Sequence, residues 1–290
     1  MTDVARGPRK TTIRRLQDMK RAGTPITALG VYESVTASIA DSLGVNIFMT
    51  GPSGPMSLFG HTNPTRIGME EQLCTLRAVS RSTRHALLNA HMPFCSFQAS
   101  PRDAVLNAAR LVSEGGAETV KCDATVRLAP NIRAIVDAGI PVIAHMGVQA
   151  MRHVEQSGYG LKGVTADEAK RLIDDAQTVA ETGVFAFLLE HVCADVAEII
   201  AKRISVPVLS LGSGARTDGV CIVSGDLLNY SAVRRPAHAG RMADLATEIH
   251  KGLGRYAAAV RDGSYPSASS APQMQTEQFD EFSKRQEAHK

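Results

Sequence analysis

Eight short apolar segments, spread along most of the chain, constrain the fold more than any other feature of the sequence. Most are followed by a loop and then by a stretch whose apolar residues recur every three to four positions. Short apolar runs are typical of strands buried on both faces, and the longer spacing is typical of amphipathic helices. The predicted strands are 25–31, 45–50, 86–90, 118–122, 141–145, 184–189, 206–211 and 220–224.

About eight such strands alternating with helices over roughly 250 residues predict a (β/α)8 TIM barrel. The alternative is a doubly wound dinucleotide-binding sheet, but no Gly-x-Gly-x-x-Gly follows the first predicted strand. We expect the barrel to span 11–265, between a polar N-terminal segment, 1–10, and a polar C-terminal tail, 266–290. The predicted helices are 34–43, 70–82, 103–113, 131–137, 166–181 and 194–204.

Composition excludes several classes of protein. The chain has 290 residues, 44% hydrophobic and 21% charged, which is enough to bury a substantial core. A dispersed net charge of +3 argues against a nucleic-acid partner. No apolar stretch approaches the ~20 residues of a membrane span, and the five cysteines form no C-x-x-C pair. We therefore expect a cytoplasmic protein with reduced thiols.

Polar residues occur where the predicted strands end, which in a TIM barrel is the end that carries the active site. A lone His or Glu at such a position is usually structural, but several around one cavity hold an anion, polarise a carbonyl and move a proton. The pattern predicts enolate chemistry. The residues are Thr50 to Ser53, His91, Lys121 to Asp123, His145, Glu190, His191, Ser210 and Ser213.

A series of short motifs runs through 11–265, and their order and spacing are more specific than any one of them. They resemble the ketopantoate hydroxymethyltransferase family, of the barrel superfamily that includes phosphoenolpyruvate mutase and isocitrate lyase. The motifs are Ile26-Thr27-Ala28 with Tyr32, Gly51-x-Ser53, Gly60-His61, Met92-Pro93-Phe94, Val120-Lys121, His145-x-Gly147, Gly158-Tyr159 with Gly163, Leu189-Glu190, Val206-Pro207-Val208, Thr217-Asp218-Gly219 and Gly263-x-Tyr265-Pro266.

The resemblance implies an aldol-type transfer of a hydroxymethyl group from methylenetetrahydrofolate to a branched 2-oxo acid, 3-methyl-2-oxobutanoate, giving 2-dehydropantoate for pantothenate biosynthesis. A metal-held 2-oxo acid loses the proton beside its ketone, and the enolate takes the one-carbon unit. By the same resemblance Glu190 is the general base, Ser53 and Lys121 bind substrate oxygens, and His145 lines the substrate pocket. We expect His91, at a neighbouring strand end, to bind substrate as well. The family also implies a homo-oligomer, often a decamer.

The chain departs from the family at the metal ligands. The family has Asp where this chain has Pro52, Asp where it has His91, and Glu where it has Asp123. Magnesium prefers oxygen ligands in an octahedral shell, and proline supplies no side-chain ligand. We therefore predict poor magnesium binding, with His91 and Asp123 better suited to zinc, manganese, cobalt or iron.

Three functions remain open at this point. The first is the hydroxymethyl transfer itself. The second is a carbon–carbon lyase, hydrolase or aldolase of the same superfamily, acting on another 2-oxo acid without folate, which the changed metal ligands favour. The third is a non-catalytic paralogue that keeps the fold. Retention of Glu190, Lys121 and His145 argues against the third.

Overall fold

A computed structural model describes residues 8–231, 236, 239–267 and 270–288. The predicted N-terminal segment 1–10 lies outside these residues except for 8–10, as do 268–269 and 289–290 of the predicted tail. The chain divides into two units, Met1–Ala243 and Asp244–Lys290. Each is described by itself.

Eight parallel strands of the first unit close into a barrel in sequence order, and β8 pairs with β1. All eight coincide with predicted strands to within a few residues, which confirms the TIM-barrel prediction. Three residues expected just past strand ends, His91, Asp123 and Glu190, are the last residues of their strands. The strands are β1 Ile26–Gly30, β2 Ile47–Thr50, β3 Leu87–His91, β4 Thr119–Asp123, β5 Val142–Gly147, β6 Ala186–Glu190, β7 Val208–Leu211 and β8 Gly219–Val223.

Helices surround the barrel, and the six predicted ones are confirmed as α2 and α4 to α8. The regular alternation fails once, because 212–218 leads from β7 to β8 without a helix. Val220 on the outer face of β8 is accordingly half exposed. The helices are α1 Ile13–Ala22, α2 Ser34–Ser42, α3 Ser53–Phe59, α4 Met69–Ser80, α5 Pro101–Ser113, α6 Ala129–Asp137, α7 Ala166–Ala180, α8 Ala194–Arg203 and α9 Ser224–Leu227.

The apolar core has two layers, because successive side chains of a strand point to opposite faces of the sheet. In β4, Val120 and Cys122 pack in the layer between barrel and helices. The residues between them, Lys121 and Asp123, therefore face the barrel interior. Apolar side chains fill the lower interior, and Leu16 of α1 joins them, fully buried. The barrel is a packed core whose upper end is polar.

The second unit contains two helices, α10 Leu245–Asp262 and α11 Thr276–Glu287. The Asp244 side chain caps α10 by accepting a hydrogen bond from the backbone N–H of Thr247. Neither helix has a buried residue. The sequence-based limit of the barrel at 265 falls inside this unit, and the three-part division stays a prediction. Among the described residues, no helix is long and apolar enough to cross a membrane.

Candidate active site and metal centre

Strand register brings the predicted chemical residues together. Across β3 and β4, His91 is paired with Lys121. Across β4 and β5, Asp123 is paired with His145, and across β5 and β6, Gly147 is paired with Glu190. Four neighbouring strands therefore present their last inward-facing side chains at the same end of the barrel.

Asp123 is the centre of a hydrogen-bonded chain. Its Oδ1 lies 3.1 Å from His91 Nε2 and 3.0 Å from His145 Nδ1. The other ring nitrogen of His145, Nε2, lies 2.9 Å from Glu190 Oε2. Lys121 Nζ lies 3.4 Å from His145 Nδ1. The Glu190 side chain is 22% exposed while the other four residues are buried, so the chain runs from the interior to the opening.

Two carboxylates favour the charged form of His145. Burial and the charge of Lys121 oppose a proton on its ring, but the hydrogen bonds to Asp123 and Glu190 outweigh them and raise the pKa of His145. Burial alone would raise the pKa of Asp123. Hydrogen bonds from His145 and His91 reverse that effect and hold the pKa of Asp123 well below its ordinary value. Asp123 is therefore ionised.

His91 and Lys121 are pushed the other way. Burial, followed by the charge of Lys121, lowers the pKa of His91 to about 4, although Asp123 favours its charged form. The imidazole of His91 is therefore neutral and has a lone pair available. Burial also lowers the pKa of Lys121, and the charges of Asp123 and Glu190 partly offset that effect.

Among the residues that the structure describes, one group of three could hold a metal ion. Ligand atoms of His91, Asp123 and His145 all lie within 4.8 Å of one another. Asp123 Oδ2 is buried and has no hydrogen-bond partner, as expected of an oxygen kept for a ligand. Two imidazoles and one carboxylate suit a borderline divalent ion such as zinc, manganese, cobalt or iron, and fit the oxygen-only preference of magnesium poorly.

Local backbone structure fixes the position of Glu190. Gly147 has φ +91°, and a Cβ there would lie 2.2 Å from the Glu190 carbonyl oxygen, so only glycine permits this approach of β5 to β6. Val148 N–H donates to that carbonyl at 2.8 Å. The next residue, His191, has φ +51°, which is strained for a residue with a side chain.

The structure places Ser53 at the first position of α3, directly after β2 and half buried. Within the described part of the chain it makes none of the hydrogen bonds of the Asp123 cluster. The neighbouring Gly51 does approach the cluster, since a Cβ built on it would lie 3.4 Å from His91 Cβ. Pro52 lies between them, without a ligand atom. The roles of Ser53 and of the other site residues stay predictions.

Other strand-end residues singled out by the sequence have structural roles. Ser213 Oγ donates to the Leu189 carbonyl at 2.8 Å and accepts from Val192 N–H at 2.9 Å. Ser210 Oγ accepts from Ser213 N–H at 2.9 Å. Thr50 Oγ1 accepts from Gln72 Nε2 at 3.1 Å. These side chains brace the loops at the upper end of the barrel.

Sequence reasoning missed two features of the site. His145 was assigned to the substrate pocket, yet it belongs to the candidate metal ligands; its alignment with Asp123 across β4 and β5 is the signal that would have shown it. Asn89, two positions before His91, shares the inward face of β3. Its Nδ2 donates to Thr119 Oγ1 at 2.8 Å, and its Oδ1 is buried without a partner.

Comparison with known proteins decides the family. The sequence profile of ketopantoate hydroxymethyltransferase matches residues 10–268. The chain belongs to the ketopantoate hydroxymethyltransferase family. It is 38% identical over 257 residues to a 3-methyl-2-oxobutanoate hydroxymethyltransferase of Nitratidesulfovibrio vulgaris (strain DP4), covering 89% of this chain and 84% of that one. It is 36% identical over 275 residues to the protein of that name from Dehalococcoides mccartyi (strain CBDB1), covering 95% and 99%.

Solved structures support the fold of this family member. A phosphonopyruvate hydrolase crystallised with oxalate and Mg²⁺ superposes with a TM-score of 0.58 at 14% identity, covering 96% of this chain and 97% of the other. A 2,3-dimethylmalate lyase superposes with a TM-score of 0.57 at 13% identity, covering 97% and 98%. At such low identity these matches establish the shared barrel only.

Proposed function

We propose that the chain transfers a hydroxymethyl group from methylenetetrahydrofolate to 3-methyl-2-oxobutanoate. Family membership supports the reaction class. The observation that carries the proposal is the placement of Glu190, a partly exposed carboxylate at the barrel opening whose Oε2 lies 2.9 Å from His145 Nε2. The buried Lys121 lies beside the same imidazole. A base and a cation thus flank one opening, as deprotonation beside a ketone requires.

Glu190 takes the proton from carbon 3 of the 2-oxo acid. A base acts only if its carboxylate is aimed at the substrate, and the hydrogen bond from His145 Nε2 restrains that aim. One carboxylate oxygen, Oε2, is engaged with His145, and we assign the proton transfer to the other, Oε1. The Glu190 backbone is held by the Val148 N–H.

Lys121 binds an oxygen of the anionic substrate. Its ammonium group is buried, so charge on a bound carboxylate or ketone oxygen interacts with it strongly in a site that excludes water. That interaction strengthens as negative charge develops on the ketone oxygen. Ser53, at the start of α3, is proposed to bind a second substrate oxygen.

His91, Asp123 and His145 would hold the divalent ion. When bound, such an ion supplies Lewis-acid polarisation of the ketone. The neutral state of His91 and the ionised state of Asp123 are the protonation states a metal ligand needs. His145 would have to lose the proton that its two carboxylate partners favour, so binding of the ion through this ring would release a proton.

The atoms of the transfer balance with one water. Carbon 3 loses a proton to Glu190 and forms a bond to the methylene carbon of the donor. Both carbon–nitrogen bonds to that methylene break, and water supplies the hydroxyl oxygen. The two donor nitrogens receive one hydrogen from water and one from carbon 3, so the products are 2-dehydropantoate and tetrahydrofolate.

The second candidate is a carbon–carbon lyase, hydrolase or aldolase acting on another 2-oxo acid without folate. Pro52 and His91, which replace two expected carboxylates, favour it. It uses the same base and the same cation, so Glu190 is required in both. The two candidates differ in the substrate that loses a proton and in the need for a one-carbon donor.

Proton exchange tests the proposal without the donor. The protein is incubated in heavy water with 3-methyl-2-oxobutanoate and a divalent metal (zinc, manganese, cobalt, iron or magnesium), and loss of the carbon 3 proton signal is followed by NMR. We expect exchange that requires Glu190. Exchange of a different 2-oxo acid instead would favour the second candidate. Inertness toward a panel of 2-oxo acids with every metal would refute both.

Two predictions about setting accompany the proposal. We expect a homo-oligomer, up to a decamer, because the resemblance implies one. We also expect a cytoplasmic location, because the five scattered cysteines are typical of a reducing compartment. Light scattering of the purified protein and fractionation of cells would test them.

A further inference from the structure

The loop between β5 and α7 is tied to the barrel rim by the side chain of Gln156. Its Nε2 donates to the Gly147 carbonyl at 3.1 Å, and its Oε1 accepts from Gln149 N–H at 3.1 Å. A left-handed residue, Ser157 with φ +56°, and then Gly158 with φ +109° turn the chain sharply after this tether. The turn delivers Tyr159 to the rim.

Tyr159 is fixed beside the catalytic carboxylate by backbone contacts. Its carbonyl oxygen accepts from His191 Nδ1 at 3.1 Å, and His191 directly follows Glu190. Three residues on, Lys162 bridges to Val192 in a parallel arrangement, with Lys162 N–H donating to the His191 carbonyl at 3.0 Å. The segment thus continues the sheet past the end of β6.

The Tyr159 ring stacks on His153 of the same loop. The ring centroids are 5.6 Å apart and the planes differ by 14°. The backbone N–H of His153 donates to the Ala150 carbonyl at 3.4 Å, and the ring nitrogen Nδ1 of His153 lies 3.0 Å from the same oxygen. Tyr159 is nevertheless 52% exposed. Burial and the nearby charge of Glu190 raise the pKa of its phenol, which is consistent with a ring that faces the opening.

Several hydrogen bonds and two left-handed residues thus hold a half-exposed aromatic ring next to Glu190. Aromatic faces bind flat heteroaromatic rings by stacking, and such contacts tolerate differences in the ring that stacks. In a transfer between two substrates, the one-carbon donor must bring its methylene carbon to the carbon that Glu190 deprotonates. Its ring system must therefore lie close to this surface.

Resting on the proposed function, we propose that the stacked pair Tyr159–His153 is the binding platform for the pterin ring of the reduced-folate donor. The loop supplies the site for the donor, and the interior cluster around Asp123 supplies the site for the 2-oxo acid. The two substrates then meet at Glu190, one on each side.

The probe is tetrahydrofolate, and its binding to the full-length protein is measured by titration calorimetry. Tyr159→Ala should weaken binding at least about tenfold, the size expected from the loss of one stacking contact. Tyr159→Phe, which keeps the ring, should restore binding to within about twofold of the unaltered protein. Val154→Ala serves as the loop control, because Val154 lies in the same loop and is 80% exposed; it should leave binding unchanged.

Three results would overturn this inference: no binding of tetrahydrofolate by the unaltered protein, equal weakening by Val154→Ala, or full retention of binding in Tyr159→Ala. If Tyr159→Ala raised KM for the 2-oxo acid and not for the folate donor, the inference would also be overturned, since the Tyr159–His153 pair would then contact the 2-oxo acid. Proton exchange keeps the proposed function separate. If exchange fails but tetrahydrofolate binds through Tyr159, the platform stands and the reaction is wrong; if exchange succeeds without such binding, the reverse holds.

Discussion

The two ends of the barrel treat a buried carboxylate in opposite ways. At the N-terminal end, Asp41 in the last turn of α2 accepts hydrogen bonds from three successive backbone N–H groups, those of Arg84, His85 and Ala86, at 2.9 to 3.0 Å. At the C-terminal end, Asp123 has one oxygen shared between two imidazoles and another with no partner. Both carboxylates are buried.

The difference shows that one end of the barrel uses its buried carboxylate for stability, whereas the other leaves a carboxylate oxygen available to bind a ligand. A buried carboxylate saturated by backbone donors stabilises the native state and can bind nothing else. One left partly unsatisfied costs free energy until a ligand arrives. The backbone shows the same contrast. The left-handed position that ends α1 is Gly23, whereas the one that follows β6 is His191. Of these two positions, the one at the N-terminal end of the barrel is a glycine without backbone strain, and the one at the C-terminal end is a strained histidine.

The largest expected effect is on catalysis. Glu190→Gln should lower the rate of proton exchange by about 10²–10⁴-fold, because a positioned general base contributes that much. Substrate affinity and the free energy of unfolding should change little, since the amide keeps the size of the side chain. The matched control at the N-terminal end is Glu118→Gln, which removes the ion pair with Lys10. An equal loss of exchange in both variants would dissolve the distinction between the two ends.

The next effect is on stability and should appear at the opposite end. Asp41→Asn should lower the free energy of unfolding by about 2–3 kcal/mol, because its amide group would face backbone N–H donors. Urea denaturation measures this. Asp123→Asn should instead impair exchange and metal binding, because it removes the carboxylate that lies between His91 and His145. The comparison breaks if Asp41→Asn impairs exchange in a protein that remains folded.

How far the sequence predicted the structure depends on periodicity. Short apolar runs located all eight strands, because a strand that is buried on both faces consists almost entirely of apolar residues. The helix-free link 212–218 and the helices α10 and α11 were not anticipated. In α10 the apolar residues Ile249, Leu253 and Tyr256 recur at helical spacing, a pattern that would have predicted this helix. All three are exposed, and the helix has no buried residue.

The site was predicted in part, for a geometric reason. Position at a strand end identified every member of the Asp123 chain, but it also picked residues that face outward. Lys121 and Asp123 face the interior while Cys122 packs under the helices. Which of two adjacent residues points inward, and which neighbour lies across the sheet, depends on register, which one sequence does not reveal. The grouping of His145 with His91 and Asp123 needed that register.

Metal preference sharpens the comparison further. Titration calorimetry should show tighter binding of zinc than of magnesium, because two of the three candidate ligands are imidazoles. The double variant Pro52→Asp and His91→Asp should raise the affinity for magnesium at least about tenfold by adding two oxygen ligands. Asp is well tolerated at the N-cap position that Pro52 occupies before α3. Tight magnesium binding by the unaltered protein would contradict the expected preference, and circular dichroism checks that the double variant is folded.

The smallest expected effect concerns the strained residue beside the base. His191 has φ +51°, a conformation that asparagine adopts readily and a β-branched residue resists. His191→Val should therefore be less stable than His191→Asn by about 1 kcal/mol, as measured by urea denaturation. Both substitutions remove the imidazole that donates to the Tyr159 carbonyl, and a third variant, His191→Ala, which lacks both the amide and the β-branch, separates the backbone effect from any hydrogen bond made by asparagine. Because the strained residue directly follows Glu190, relaxing its backbone should also turn the carboxylate away from His145. Proton exchange should accordingly be slower in His191→Val than in His191→Asn, because valine has the stronger tendency to leave the left-handed conformation. Equal stability and equal exchange in the two variants would show that the left-handed backbone at His191 neither stores strain nor aims the base.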